Sequence, residues 1–122
     1  LRLEAGRAFV ALGRHDEALQ QYTAAVELAP DQAQPHMQLG VELGRLRKPA
    51  LAEPEFRQVL RLDPDSIQAR ADLGIALYEQ EKFADALNEF ENVLKRNPSN
   101  SIALHYTQLL QKVPQHSSKS PP

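Results

Sequence analysis

A chain of 122 residues, 42% hydrophobic and 25% charged, is enough for one ordinary domain, and its net charge of −2 argues against a nucleic-acid footprint, which needs a strongly basic face. The absence of cysteine excludes disulfides, thiol catalysis and thiolate metal sites. No apolar run approaches the ~20 residues that span a bilayer, no secretory signal is present, and an opening at Leu1 inside a helical pattern marks the chain as an expected piece of a longer protein.

Leu1, Ala5, Ala8, Phe9 and Leu12 have helical spacing and predict a first helix that ends at Gly13. Arg14-His15-Asp16 is the expected turn, with Asp16 as cap and Glu17 in the first turn of the next helix, where negative charge suits the dipole. This second helix is expected to bury Ala18, Leu19, Tyr22, Ala25, Val26 and Leu28 and to stop at Pro30. Asp31 is the expected cap of a third helix, with Pro35 in its first turn and Met37, Leu39, Gly40, Val41, Leu43 and Leu46 as its apolar set. Arg47-Lys48-Pro49 turns into a fourth helix carrying Ala52, Phe56, Val59 and Leu60. Pro54 stands about one turn inside it and predicts a distorted start, since a missing N–H and a ring clash cost up to ~3 kcal/mol.

Asp63-Pro64-Asp65-Ser66 is a cap-rich entry to the next unit. Its core, Ala71 to Pro98, reads as two amphipathic helices joined by a tight turn. Asn97-Pro98-Ser99-Asn100 can cap a last helix running from Ser101 to about Val113, with Ile102, Leu104, Leu109 and Leu110 apolar and Gln108 where a glycine is expected. No partner helix follows it, so its outer face is expected to be polar. The tail, residues 114–122, offers no apolar anchor except proline and is expected to be disordered.

One interval runs through these elements. Gly6, Gly40 and Gly74 recur every 34 residues, and so do Ala18, Ala52 and Ala86. Tyr22, Phe56 and Phe90 follow the same spacing, as do Phe9, Leu43 and Leu77, and Pro30, Pro64 and Pro98. A fixed period in the 20–50 range is the mark of a stacked-repeat solenoid, in which no helix pair buries its apolar face alone.

On these residues the chain resembles the tetratricopeptide repeat (TPR) family, whose unit is a 34-residue helix–turn–helix with small residues, large apolar residues between them and a terminal proline. The resemblance implies an all-α fold, an α-α superhelix or solenoid of about seven antiparallel helices with a right-handed sense and a concave groove. It divides residues 1–113 into repeats of about 1–32, 33–66 and 67–100 and a capping helix over 101–113. The family's tryptophan-type position is held here by Arg2, His36 and Arg70, and its last small position by Ala25, Val59 and Val93; these departures imply locally looser packing.

Catalytic chemistry finds little support. His15, His36, His105 and His116 have no pair at metal-ligand spacing, so no metal site is expected. Ser117, Ser118 and Ser120 lie in a tail unable to orient a base, and Ser120-Pro121 is at most a phosphate acceptor. Glu79 with Glu81, and Glu89 with Glu91, fall on different helix sides and read as solvated faces. The glycines follow the repeat and form no phosphate loop. No catalytic residue, cofactor or enzymatic activity is therefore expected, and cytoplasm is the expected compartment.

What remains is binding. The resemblance implies that the first helix of each unit lines the groove. By register this selects Leu3, Arg7 and Val10, then Gln34, Met37, Gln38, Val41 and Arg45, then Gln68, Ala71, Asp72, Ile75 and Tyr78, with His105, Tyr106 and Leu109 from the cap. Val10, Met37, Val41, Ile75, Tyr78 and Leu109 form an apolar stripe where the core face is already satisfied by other residues; it is expected to mark an interaction site, as exposed apolar surface does, the alternative being that side-chain packing across a tight superhelix buries it. A protein or peptide partner is expected, with neither nucleic acid nor membrane insertion. The alternative is a regulatory or scaffold segment of a larger enzyme or assembly protein that packs in cis or self-associates. One TPR subclass grips the C-terminal carboxylate of heat-shock chaperones through lysines, asparagines and an arginine. The matching positions are Leu3, Arg7, Gln38, Gln68 and Asp72, and one cation beside an aspartate predicts that this chain is not such a clamp. Arg45, Arg47, Lys48, Arg57 and Arg61 read as a solvated basic edge.

Overall fold

The structure is a computed structural model that describes residues 1–113. The described residues form seven helices and no strand: α1 (Arg2–Ala11), α2 (His15–Leu28), α3 (Ala33–Arg45), α4 (Pro49–Leu62), α5 (Ile67–Glu79), α6 (Phe83–Arg96) and α7 (Ser101–Gln111). Two compact units result. Leu1–Ser66 holds the α1/α2 and α3/α4 hairpins, with α2 packed on α3, and the unit beginning at Ile67 holds the α5/α6 hairpin with α7 against both. Three repeats and a capping helix account for all seven helices.

The glycine and aromatic columns are two halves of one contact. A Cβ built on Gly6 would stand 2.4 Å from the Tyr22 ring, on Gly40 2.7 Å from Phe56, and on Gly74 2.7 Å from Phe90. Each ring of a second helix therefore reaches the bare backbone of its own first helix, closer than any side chain allows. Ala18, Ala52 and Ala86, each 0% exposed, let the helices approach beside the ring. In the capping helix Gln108 stands where the repeats have glycine and is exposed.

The three turns inside the hairpins are equally regular. Gly13, Arg47 and Glu81 adopt positive φ of 74°, 62° and 62°. Their N–H groups donate to the carbonyls of Val10, Gly44 and Tyr78, and those of Arg14, Lys48 and Lys82 donate to Phe9, Leu43 and Leu77. This double closure is the Schellman motif, which satisfies the last carbonyls of the first helix and reverses the chain. Only the first copy has the glycine the left-handed conformation favours.

Several local expectations are corrected. α2 begins at His15 with Arg14 at its N-cap, so His15 and Asp16 belong to the helix and not to the turn. Asp31 does not cap α3; Gln32 holds the N-cap without a side-chain bond. The reason lies in the linkers, where Gln32, Ser66 and Asn100 N–H donate to the Ala29, Asp63 and Asn97 carbonyls across turns with proline second. In two of them the first side chain is used as well: Asp63 Oδ1 and Asn97 Oδ1 accept from Asp65 and Ser99 N–H at 3.3 Å. Asn100 does cap α7, accepting from Ala103 N–H at 2.9 Å. α4 starts at Pro49, where proline is suited to the first helical position, and stays helical through Pro54. The start is thus neither late nor broken; the cost of Pro54 is confined to the Ala50 carbonyl, which loses its i+4 donor.

Burial also differs at chain and helix ends. Leu1 and Leu12, expected on the packed face of α1, are 99% and 68% exposed, one at the terminus and one in the turn. Ala8, also expected there, is exposed. Leu28 is 72% exposed at the last turn of α2. Ile102 and Leu104 leave the outer side of α7 less polar than a cap requires, at 43% and 40% exposure. The inner side of α7 is secured by Ala103, Leu110 and Thr107, whose hydroxyl donates to the Ala103 carbonyl at 2.8 Å. The expectation of a disordered tail, with His116 and the serines, lies outside the described residues.

Candidate functional site

The residues at the tryptophan-type position do not loosen the repeat; they form a polar bridge between its two helices. Arg2 Nη1 donates to Gln21 Oε1 at 3.2 Å and Arg70 Nη1 to Glu89 Oε1 at 3.0 Å, while His36 Nδ1 lies 2.8 Å from Glu55 Oε1. Each pair spans the same 19 residues. Glu89 is therefore no solvated carboxylate: its side chain is 14% exposed and held by Arg70. His36 is buried, with Nε2 2.8 Å from the Pro30 carbonyl, so both ring nitrogens face acceptors and only an imidazolium donates to both.

A second polar group was not anticipated from the sequence. Glu42 is 1% exposed where the other repeats carry Ala8 and Ala76. Its Oε2 lies 2.5 Å from His15 Nδ1, which joins α3 to the start of α2. Among the described residues its Oε1 has no hydrogen-bond partner, and it lies 3.6 Å from Arg45 Nη1. Burial raises the Tyr22 hydroxyl above the usual phenol range and Glu42 adds to this, with Arg7 and Arg45 opposing. An acid in a column of alanines was the available signal.

The predicted groove positions sort by environment. In the first unit Leu3, Val10, Met37, Gln38 and Val41 are half-buried, while Arg7, Gln34 and Arg45 are exposed. In the second, Asp72, Ile75, Tyr78, Tyr106 and Leu109 are half-buried and Gln68 and His105 exposed. Ala71, 3% exposed, is buried and offers no surface. Tyr106 stacks on Phe90 with centroids 4.9 Å apart and meets Tyr78 edge-on at 5.1 Å, and Tyr78 meets Phe83 at 5.5 Å. Burial, followed by the charge of Glu79, raises the Tyr106 hydroxyl above the phenol range.

Asp72 has a different setting. It makes no hydrogen bond or ion pair among the described residues, and desolvation alone pushes its carboxyl up to about 6. Elsewhere, a shallow depression lined by Asp16, Leu19, Gln20, Thr23, Ala24 and Glu27 lies on α2, away from the first-helix positions. Among the described residues no three His, Asp or Glu side chains are grouped to hold a metal ion, and no helix is long and apolar enough to cross a membrane.

Comparison with known proteins places this register. A family model described as TPR repeat matches residues 6–45, and one described as tetratricopeptide repeat matches residues 45–113. No curated protein matches the chain. Among solved structures, the first TPR of Spaghetti (RPAP3) bound to the HSP90 peptide SRMEEVD is 24% identical, with a TM-score of 0.85 over 91% of this chain and 88% of that one. The second TPR domain of human RPAP3, in complex with the HSP70 peptide SGPTIEEVD, is 24% identical, with a TM-score of 0.84 over 91% and 92%. The Arabidopsis OM64 TPR domain is 22% identical, with a TM-score of 0.85 over 93% of both chains. These likenesses share the helix–turn–helix fold. With the family models covering both units and the glycine–ring contact recurring in all three hairpins, the chain belongs to the tetratricopeptide repeat family.

Proposed function

We propose that this chain is a non-catalytic recognition module that holds a segment of a partner protein on the groove-lining faces of its first helices. The observation that carries the reading is a set of six apolar side chains at the first-helix and cap positions, none of them fully buried. Val10, Met37 and Val41 in the first unit, and Ile75, Tyr78 and Leu109 in the second, are all half-buried. Methionine and tyrosine suit such contacts, one by adaptable shape and one by a rigid body with a polar tip. Arg7, Gln34 and Gln68 at the exposed positions, and half-buried Gln38, supply donors for the backbone of an extended or helical segment. The peptide complexes of the Spaghetti and human RPAP3 domains support the class of function. The mode of grip is a different matter. Both of those peptides end in acidic residues, whereas Leu3, Gln38, Gln68 and Asp72 here cannot clamp a carboxylate, and Arg7 alone carries positive charge.

A selection of displayed random peptides on the full chain tests this reading. Selected peptides are expected to lose binding to a Met37→Glu/Ile75→Glu variant with unchanged helical circular dichroism. Binding that survives both charges would overturn the reading. A regulatory or scaffold role, with packing in cis or self-association, is favoured by one observation only, the exposed Ile102 and Leu104 on α7.

A further inference from the structure

Asp72 is an ionisable group with nothing to answer it. It lies on α5, half-buried, one helical turn from Gln68 on one side and Ile75 on the other, and among the described residues neither of its carboxylate oxygens has a partner. The cation nearest in sequence, Arg70, is committed to Glu89 across the hairpin. A carboxylate withdrawn from water without a compensating charge is costly, and the cost is recovered when something supplies that charge. The equivalent positions in the other repeats are Glu4 and Gln38, so the column holds acids and an amide and no cation.

We propose that Asp72 is the specificity determinant of the partner-binding face and receives an arginine side chain of the partner segment, flanked by apolar residues that meet Ile75. The inference rests on the recognition reading above and gives its partner a chemistry. Charge complementarity selects a cation, and the setting selects among cations. Two unpartnered oxygens match the two-pronged guanidinium fork. Guanidinium is also more weakly hydrated than ammonium, so a half-buried carboxylate takes arginine at lower desolvation cost than lysine. Gln68, exposed one turn away, can accept a further guanidinium N–H through its amide oxygen.

The test is a fluorescence-polarisation titration of the full chain with pools of short peptides, acetylated and amidated at their ends. Each pool carries leucine or isoleucine around one fixed central residue: arginine, lysine, citrulline or glutamate. The arginine pool is expected to bind about tenfold more tightly than the citrulline pool, with lysine between them. Asp72→Asn should erase the difference between arginine and citrulline, and Asp72→Lys should move the preference to glutamate. An arginine preference that survives Asp72→Asn overturns the assignment, and a lysine pool binding as tightly as arginine overturns the choice of guanidinium. Equal binding of all pools to the unaltered chain overturns the inference but leaves peptide recognition standing. No binding by any pool overturns both.

Discussion

A hydrogen atom is all that separates a stacked ring from a clash at Gly6, Gly40 and Gly74. The Cβ of alanine at Gly74 would lie 2.7 Å from Phe90, a ring that is itself 0% exposed and has no room to retreat. Gly74→Ala is therefore expected to destabilise the fold by about 1–3 kcal/mol in urea unfolding, the usual cost of overpacking. Adding Phe90→Leu should recover part of that loss, because the smaller side chain yields the space; losses that simply add would show the two sites do not share a contact. Asp72 supplies a prediction of opposite sign. Its carboxyl titrates near 6 when folded, above its unfolded value of 3.8, so the folded state binds the extra proton between those limits. Stability attributable to this group is fully present below pH 4, falls as pH rises through 6, and stays low above it. Asp72→Asn should raise stability at pH 7.5 by about 1–3 kcal/mol and have little effect at pH 4, read by thermal melts at both values.

At the scale of an element, each hairpin repeats the same three devices: a ring on a glycine, a Schellman turn, and a polar bridge between its helices. Where one copy departs from the best chemistry, improvement is open. Glu81 holds a left-handed conformation at φ 62° that Gly13 holds at no steric cost. Glu81→Gly should stabilise the chain by up to about 1 kcal/mol, the relief of strain being partly offset by a freer unfolded chain. Pro54 is exposed within α4 and denies the Ala50 carbonyl its donor. Pro54→Ala should add about 1–3 kcal/mol in the same urea assay; no gain would mean that the carbonyl is already satisfied by water. The bridges work the other way. Truncation of Glu55 to alanine leaves the buried His36 ring with one acceptor, at an expected cost of about 1–3 kcal/mol.

For the whole molecule, a recognition module is expected to be monomeric alone, and static light scattering over a wide concentration range checks this. Concentration-dependent growth in mass, abolished by Leu104→Lys on α7, would favour the scaffold reading. How much of this was legible in the sequence follows from what repetition can carry. The period located every hairpin, because glycine, alanine, ring and proline columns report contacts that must recur in each copy. The same register selected Met37, Ile75 and Tyr78 as exposed groove surface, and they are half-buried. Features that occur once were the ones missed. Glu42 was missed, although it stands in a column of alanines, because a single acid in a helix ordinarily reads as surface. The polar bridges were hidden for another reason: an arginine, a histidine and a second arginine look unlike one another, although their partners fall at a constant separation. Asp31 was misread as a cap because it stands third in a reverse turn whose closing residue, Gln32, holds the N-cap instead.

The two classes of polar contact set different rules for rearranging the gene. A bridge such as Arg70–Glu89 lies within one hairpin, so duplication, deletion or exchange at a repeat boundary carries both partners together and leaves the contact whole. His15–Glu42 crosses a boundary, from the second helix of one repeat to the first helix of the next. The second repeat is thus bound to its upstream neighbour as a matched pair. Transplanted behind a repeat that lacks a histidine at that place, it would import a buried carboxylate with no counterpart, whereas the third repeat, with Ala76 in the same column, would import none.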